Sequence, residues 1–142
     1  MKRMALLLAA ITALIATLPP AAAQGTRGRN QPQPRPPILF VFSPSPKHPM
    51  FVAQDKMIVD AVPEFQQSAV IVLFVIGDES VKLPAPDNRR ETAENLRKRY
   101  HIDADAFRVV LLDKYGSEKA RWNEPVEPNT VFSHTDERPR AR

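Results

Sequence analysis

The sequence predicts one α/β domain built on a mixed sheet with helices on both faces, in the order β-α-β-α-β-β-α. Three observations carry this. Residues 38–42 (ILFVF) and 69–76 (AVIVLFVI) are uninterrupted apolar runs, an amphipathic stretch lies between them, and FRVVLL at 107–112 is followed by a turn and the weakly alternating EKARW. Apolar runs of strand length without alternation mark strands buried on both faces. Two such strands separated by a helix are joined by a crossover and run parallel. A length of 142 residues allows one domain of this kind.

At the N-terminus, Lys2 and Arg3 precede an uncharged apolar run at residues 4–18, then Pro19-Pro20 and Ala21-Ala22-Ala23. The run is shorter than the roughly 20 apolar residues of a bilayer span. With its positive start and small-residue exit it has the parts of a secretory signal peptide, residues 1–23, cleaved after Ala23. The expected product is exported to the periplasm, or secreted, with no membrane anchor after cleavage. Residues 24–37 (QGTRGRNQPQPRPP) contain no large apolar side chain. They are expected to form a disordered, polyproline-like arm.

The first strand ends at Ser43-Pro44, and a proline-dense loop follows. Met50, Phe51, Met57, Ile58, Ala61, Val62 and Phe65 fall near i, i+3, i+4, i+7 spacing, so the next element is an amphipathic helix. Pro49 suits its first turn, and Pro63 ends or kinks it. The second strand, from Ala69 to Ile76, is stopped by Gly77-Asp78, and residues 79–86 read as a loop. A second helix is expected to be capped by Asp87 or Asn88, with Asn88 and Glu91 at capping-box spacing. Its apolar stripe is Ala93, Leu96 and Tyr100. Arg89, Arg90, Arg97, Lys98 and Arg99, interleaved with Glu91 and Glu94, read as a solvated face rather than a nucleic-acid site.

The third strand leads into Asp113-Lys114-Tyr115-Gly116, a turn in which Gly116 takes positive φ, and EKARW returns as the second arm of a hairpin. Trp122 is expected to pack over the sheet. Glu127-Pro128 announce a short last helix, with Val131 and Phe132 facing the core. The folded domain therefore spans residues 38–133, and 134–142 form a basic tail. This order is the minimal thioredoxin-like arrangement: a parallel pair, then an antiparallel hairpin, with the strands lying second, first, third, fourth.

Several pieces of the chain also resemble one family. They are F-S-P-S at 42–45, L-R-x-R-Y at 96–100, F-x-V-V-L-L-D-K-x-G at 107–116 and E-P-V-x-P at 124–128. Over about Pro36 to Phe132 the chain resembles domain of unknown function 4174, a thioredoxin-superfamily module also found in secreted vertebrate matrix proteins. The resemblance implies the fold, and it implies adhesion or assembly rather than a catalytic motif. This sequence departs from the family pattern at its Arg-rich end, DERPRAR.

The formal charge of +4 does not describe a basic face. Lys2 and Arg3 leave with the signal peptide and six arginines lie in the arm and the tail, while residues 38–133 hold 12 basic against 14 acidic residues. The chain has no cysteine. Redox-active members of this superfamily carry C-x-x-C in the loop after the first strand, at a helix N-terminus that favours the thiolate. Ser45-Pro46-Lys47-His48 stands there instead, so thiol oxidoreductase, isomerase and peroxidase chemistry are excluded. The expected cis-proline before the third strand is also replaced, by Asp105-Ala106-Phe107.

Ser43, Ser45, Lys47 and His48 form the candidate ligand-binding loop. Lys47, His48 and free N–H groups at the helix start suit a small anionic ligand. Ser45 with His48 is the nucleophile–base pair of an alternative reading, a small hydrolase or transferase, although no acid stands nearby to orient the histidine. His48, His101 and His134 stand on three different elements, and no metal motif or cofactor is predicted.

In the expected strand order the apolar strand from Ala69 to Ile76 lies at the sheet edge. An edge of that composition invites pairing. It implies a homodimer through this strand, a partner protein's strand, or residues 79–86 folded back over it. The functional expectation is an exported, non-redox domain that acts by binding or assembly.

Overall fold

A computed structural model describes residues 34–135. The expected signal peptide, most of the expected arm and residues 136–142 lie outside the described residues. The first strand, β1 (Ile38–Ser43), is buried at every position. It sits inside a four-stranded sheet, parallel to β2 (Ile71–Ile76) and antiparallel to β5 (Arg108–Leu112). The last pair, β5 and β6 (Glu118–Trp122), is the expected hairpin, and the spatial order is β2-β1-β5-β6. Its turn closes as the sequence requires. Asp113 Oδ1 accepts from the N–H groups of Tyr115 and Ser117, and Gly116 has φ +84°.

The alternation of β1 divides the core into two layers. Leu39 and Val41 face one layer with Val109, Leu111 and the helices α1 (Pro49–Asp60), α2 (Val62–Gln67) and α4 (Pro128–His134). Phe51, Ile58, Phe65, Val131 and Phe132 supply the helical half of that layer. Ile38, Phe40 and Phe42 face the other layer with Val110, Leu112 and Val75, covered by Ala93 and Leu96 of α3 (Ala93–Tyr100). The fold is thus the mixed α/β sheet with helices on both faces.

Pro63 acts as expected. In a continuous helix its ring meets the carbonyl four residues back, so the helix stops at Ala61 and restarts with Pro63 in the first turn of α2. The second strand is shorter than its apolar run. Ala69, at φ +53°, belongs to the turn out of α2, and pairing begins at Ile71.

Two expectations are corrected. Residues 79–86 are not all loop: β3 (Ser80–Lys82) pairs antiparallel with β4 (Arg90–Thr92), and Val81 and Leu83 are buried in the α3-side layer. Nor do Asp87 or Asn88 cap the second helix. Thr92 does, its hydroxyl accepting from Asn95 N–H at 3.2 Å, while Asn88 sits in the left-handed region at φ +45°. The arm is also held at its end. Arg35 N–H donates to Lys114 O, its guanidinium pairs with Asp87, and Pro37 O accepts from Ile71 N–H.

Candidate functional site

The loop from Ser43 to Pro49 leaves the C-terminal end of β1 and delivers the chain to α1. Its polar groups are largely consumed within it. Ser43 is fully buried and donates its hydroxyl proton to Ser45 O at 2.7 Å. The Ser45 hydroxyl accepts from Lys47 N–H at 3.1 Å, and His48 N–H donates to Ser45 O. Pro44, Pro46 and Pro49 have no N–H to offer. The backbone donors of an anion cradle are therefore few, and Lys47, which is exposed, supplies the loop's charge.

His48 is the N-cap residue of α1 and its side chain makes no cap bond. Its ring stacks on Phe107, 6.0 Å between centroids and 5° from parallel, and its Nδ1 is buried without a hydrogen-bond partner. Among the described residues no hydrogen bond joins the hydroxyl of Ser43 or Ser45 to the His48 ring. Ser45 lies three residues ahead of the N-cap, so the helix dipole acts at His48 rather than at Ser45. The structure thus brings the four candidate residues into one loop but does not form a nucleophile–base pair from them.

One charged side chain beside the loop, expected on the solvated face, is buried instead. Arg97 is 5% exposed. Its Nη2 donates to Ser43 O at 2.8 Å and its Nη1 to Asp103 O at 3.1 Å, with the guanidinium carbon 5.8 Å from the Phe42 ring centre. Burial lowers its pKa, partly offset by the negative charge of Asp78. The signal was present in the sequence: Ala93, Leu96, Arg97 and Tyr100 follow i, i+3, i+4, i+7, and the arginine completes the buried stripe. Around it an open groove of about 880 Å³ is lined by Pro44, Gly77, Asp78, Lys98, His101 and Asp103, among others. Its charges are mixed, since Lys98 is paired with Glu94 at 2.6 Å.

The other basic side chains of this region do face solvent. Arg89 and Arg99 both reach Glu91, at 3.4 Å and 3.1 Å. The three histidines stay apart, and no group of metal-ligating side chains is assembled among the described residues. Trp122 packs against the α1-side layer, its ring edge-on to His134 at 5.4 Å.

The sheet edge is the other exposed feature. Ile71 N–H donates to Pro37 O and Gly77 N–H to Ser43 O, both toward β1. Since neighbouring residues of a strand present their backbone groups to opposite sides, Leu73 and Val75 also face β1. Val72, Phe74 and Ile76 turn their N–H groups outward, and none of these is paired among the described residues. The β3–β4 hairpin covers part of one layer but pairs with itself, not with this edge.

The fold and the loop define a thioredoxin-like domain without a thiol. Residues 31–142 match the family model described as "Domain of unknown function (DUF4174)", and the chain belongs to that family. It is similar to sushi repeat-containing protein SRPX2 of Xenopus laevis, 26% identical over 102 residues, and of Bos taurus, 24% identical over 103 residues. Each alignment covers 70% of this chain and 22% of the relative, so the chain spans about a fifth of the length of these proteins. Among solved structures, a thioredoxin-fold protein from Helicobacter pylori superimposes with a TM-score of 0.51 at 16% identity, over 72% of this chain and 69% of that one.

Proposed function

We propose that the chain is an exported, non-redox thioredoxin-like domain that acts by binding or assembly, and that β2 is the element through which it binds a protein. The observation that carries this is the outward row of N–H groups at Val72, Phe74 and Ile76, unpaired among the described residues, on a strand without one charged side chain. Such an edge recognises another strand by main-chain hydrogen bonds. The N-terminal sequence supports export: a positive start, an apolar core and a small-residue exit. On export the domain would reach the periplasm or the medium.

The alternative, hydrolysis or group transfer through Ser45 and His48, has less support. Ser45 already accepts a backbone N–H, and the His48 ring lies flat on Phe107. Binding of a small anion by Lys47 and His48 is limited by the same loop geometry. Photocrosslinking tests the edge reading. A benzophenone amino acid at Val72 is expected to give a discrete protein adduct in the producing cell, whereas the same group at Lys119, on β6, gives none. No adduct from Val72, or equal adducts from both positions, would overturn it.

A further inference from the structure

We infer that the strand received by β2 is the β2 of a second copy of this chain, the two running antiparallel about a two-fold axis at Phe74. The inference rests on the edge reading above and names its partner. The backbone pattern selects this arrangement. In a parallel pair, a residue whose groups point across the joint lies opposite one whose groups point away, so two identical edges in register cannot satisfy each other. In an antiparallel pair, outward residues lie opposite outward residues. With Phe74 on the axis, each Phe74 N–H donates to the other copy's Phe74 O, and each Ile76 N–H donates to the other copy's Val72 O. Ile76 O, which already accepts from Glu79 N–H, takes the other copy's Val72 N–H on its second lone pair, and the ladder ends there. The same register sets Asp78 opposite Val70, which keeps the acidic ends of the two strands apart.

Strand pairing alone buries less than the roughly 1,200–2,000 Å² of a stable interface. The missing area is present beside the edge. Among the described residues, the two most exposed large hydrophobic side chains are Val52 and Val59, on α1. Val52 and Val59 are 54% and 60% exposed. On α1, Gln54 reaches the opposite way, to Val126 just ahead of α4. At 100° per residue Val52 and Val59 lie on the other flank of the buried Phe51–Ile58 stripe. That flank is turned away from α4 and toward β2, whose Phe74 ring touches Phe51 at 5.4 Å between centroids. Helix flank and strand edge therefore form one apolar surface, which two-fold symmetry sets against itself.

Sedimentation velocity of the purified chain over a range of concentrations tests this. Wild type is expected to shift with concentration from monomer to twice that mass. Val72→Pro removes an outward N–H and no β1 hydrogen bond, and is expected to raise the dimer dissociation constant at least tenfold. Val59→Asp, which sets a charge on the exposed flank and leaves the strand edge intact, is expected to do the same. A wild type that is monomeric throughout, or variants that associate as wild type does, would overturn self-pairing. Monomer together with a Val72 adduct to a different polypeptide would overturn self-pairing while leaving edge recognition standing. Monomer with no adduct, or with an adduct inside the same chain, would overturn both.

Discussion

The Arg97 guanidinium donates to the Ser43 carbonyl at 2.8 Å, fastening α3 to the end of β1 where the loop to α1 begins. The same side chain holds Asp103 O at 3.1 Å, so one cation fixes the strand end and the turn after α3. Arg97→Ala removes both bonds and leaves two carbonyls facing a void. The expected loss of stability is about 2–4 kcal/mol. Arg97→Lys is expected to recover less than half of it, because an ammonium cannot span both oxygens with a planar fork. Urea denaturation of the two variants and wild type checks the order.

Gln54 is fully buried and pairs with Val126 in both directions, its amide donating to Val126 O at 3.1 Å and accepting Val126 N–H at 2.7 Å. The bonds tie α1 to the segment that leads into α4. Gln54→Ala strands both backbone groups, and the expected cost is about 2–4 kcal/mol. Gln54→Met fills the space but makes neither bond, so it is expected to fall between alanine and wild type. Thermal unfolding midpoints distinguish the three.

The main strands were legible because fully apolar runs bounded by prolines and glycine leave few alternatives. The β3–β4 hairpin was not, since three-residue strands are too short to show a period and Val81 alternates with charged or polar neighbours. Arg97 was hidden in the run Arg-Lys-Arg, where composition suggested solvent and only its place in the helical stripe indicated burial. Thr92 caps α3 in place of Asp87 or Asn88, and the sequence does not separate the three because all carry capping side chains within six positions. Of the candidate loop, the sequence showed which residues gather there. It did not show that Ser43 and Ser45 would spend their hydroxyls on the loop itself.

His48 tests the catalytic alternative through stability. Its ring stacks on Phe107 and its Nδ1 is buried with no partner. His48→Phe keeps the stack and removes the unsatisfied nitrogen. It is expected to leave stability unchanged or raise it by up to about 1 kcal/mol. Esterase and phosphatase assays on Ser45→Ala and His48→Phe are expected to match wild type; loss of a measurable activity in both would support the hydrolase reading.

Acid is expected to weaken the fold. The Asn95 amide and then Arg99 hold the Glu91 carboxyl below its ordinary 4.5, and Arg121 does the same for Glu118. A carboxyl with a depressed folded pKa adds stability above its unfolded value and loses it as pH falls through the folded one. The urea midpoint should therefore be flat from neutral pH to about 5.5 and decline from about 4.5 downward, the Glu range. Glu91→Gln should flatten part of that decline.

Amide exchange along β2 tests the central claim most directly, because binding through this edge requires its outward N–H groups to be free in the monomer. At the lowest concentrations, Val72, Phe74 and Ile76 should exchange much faster than Leu73 and Val75, then become protected as concentration rises. Outward amides protected as strongly as Leu73 and Val75 in the dilute monomer would contradict the account, for the edge would already be closed.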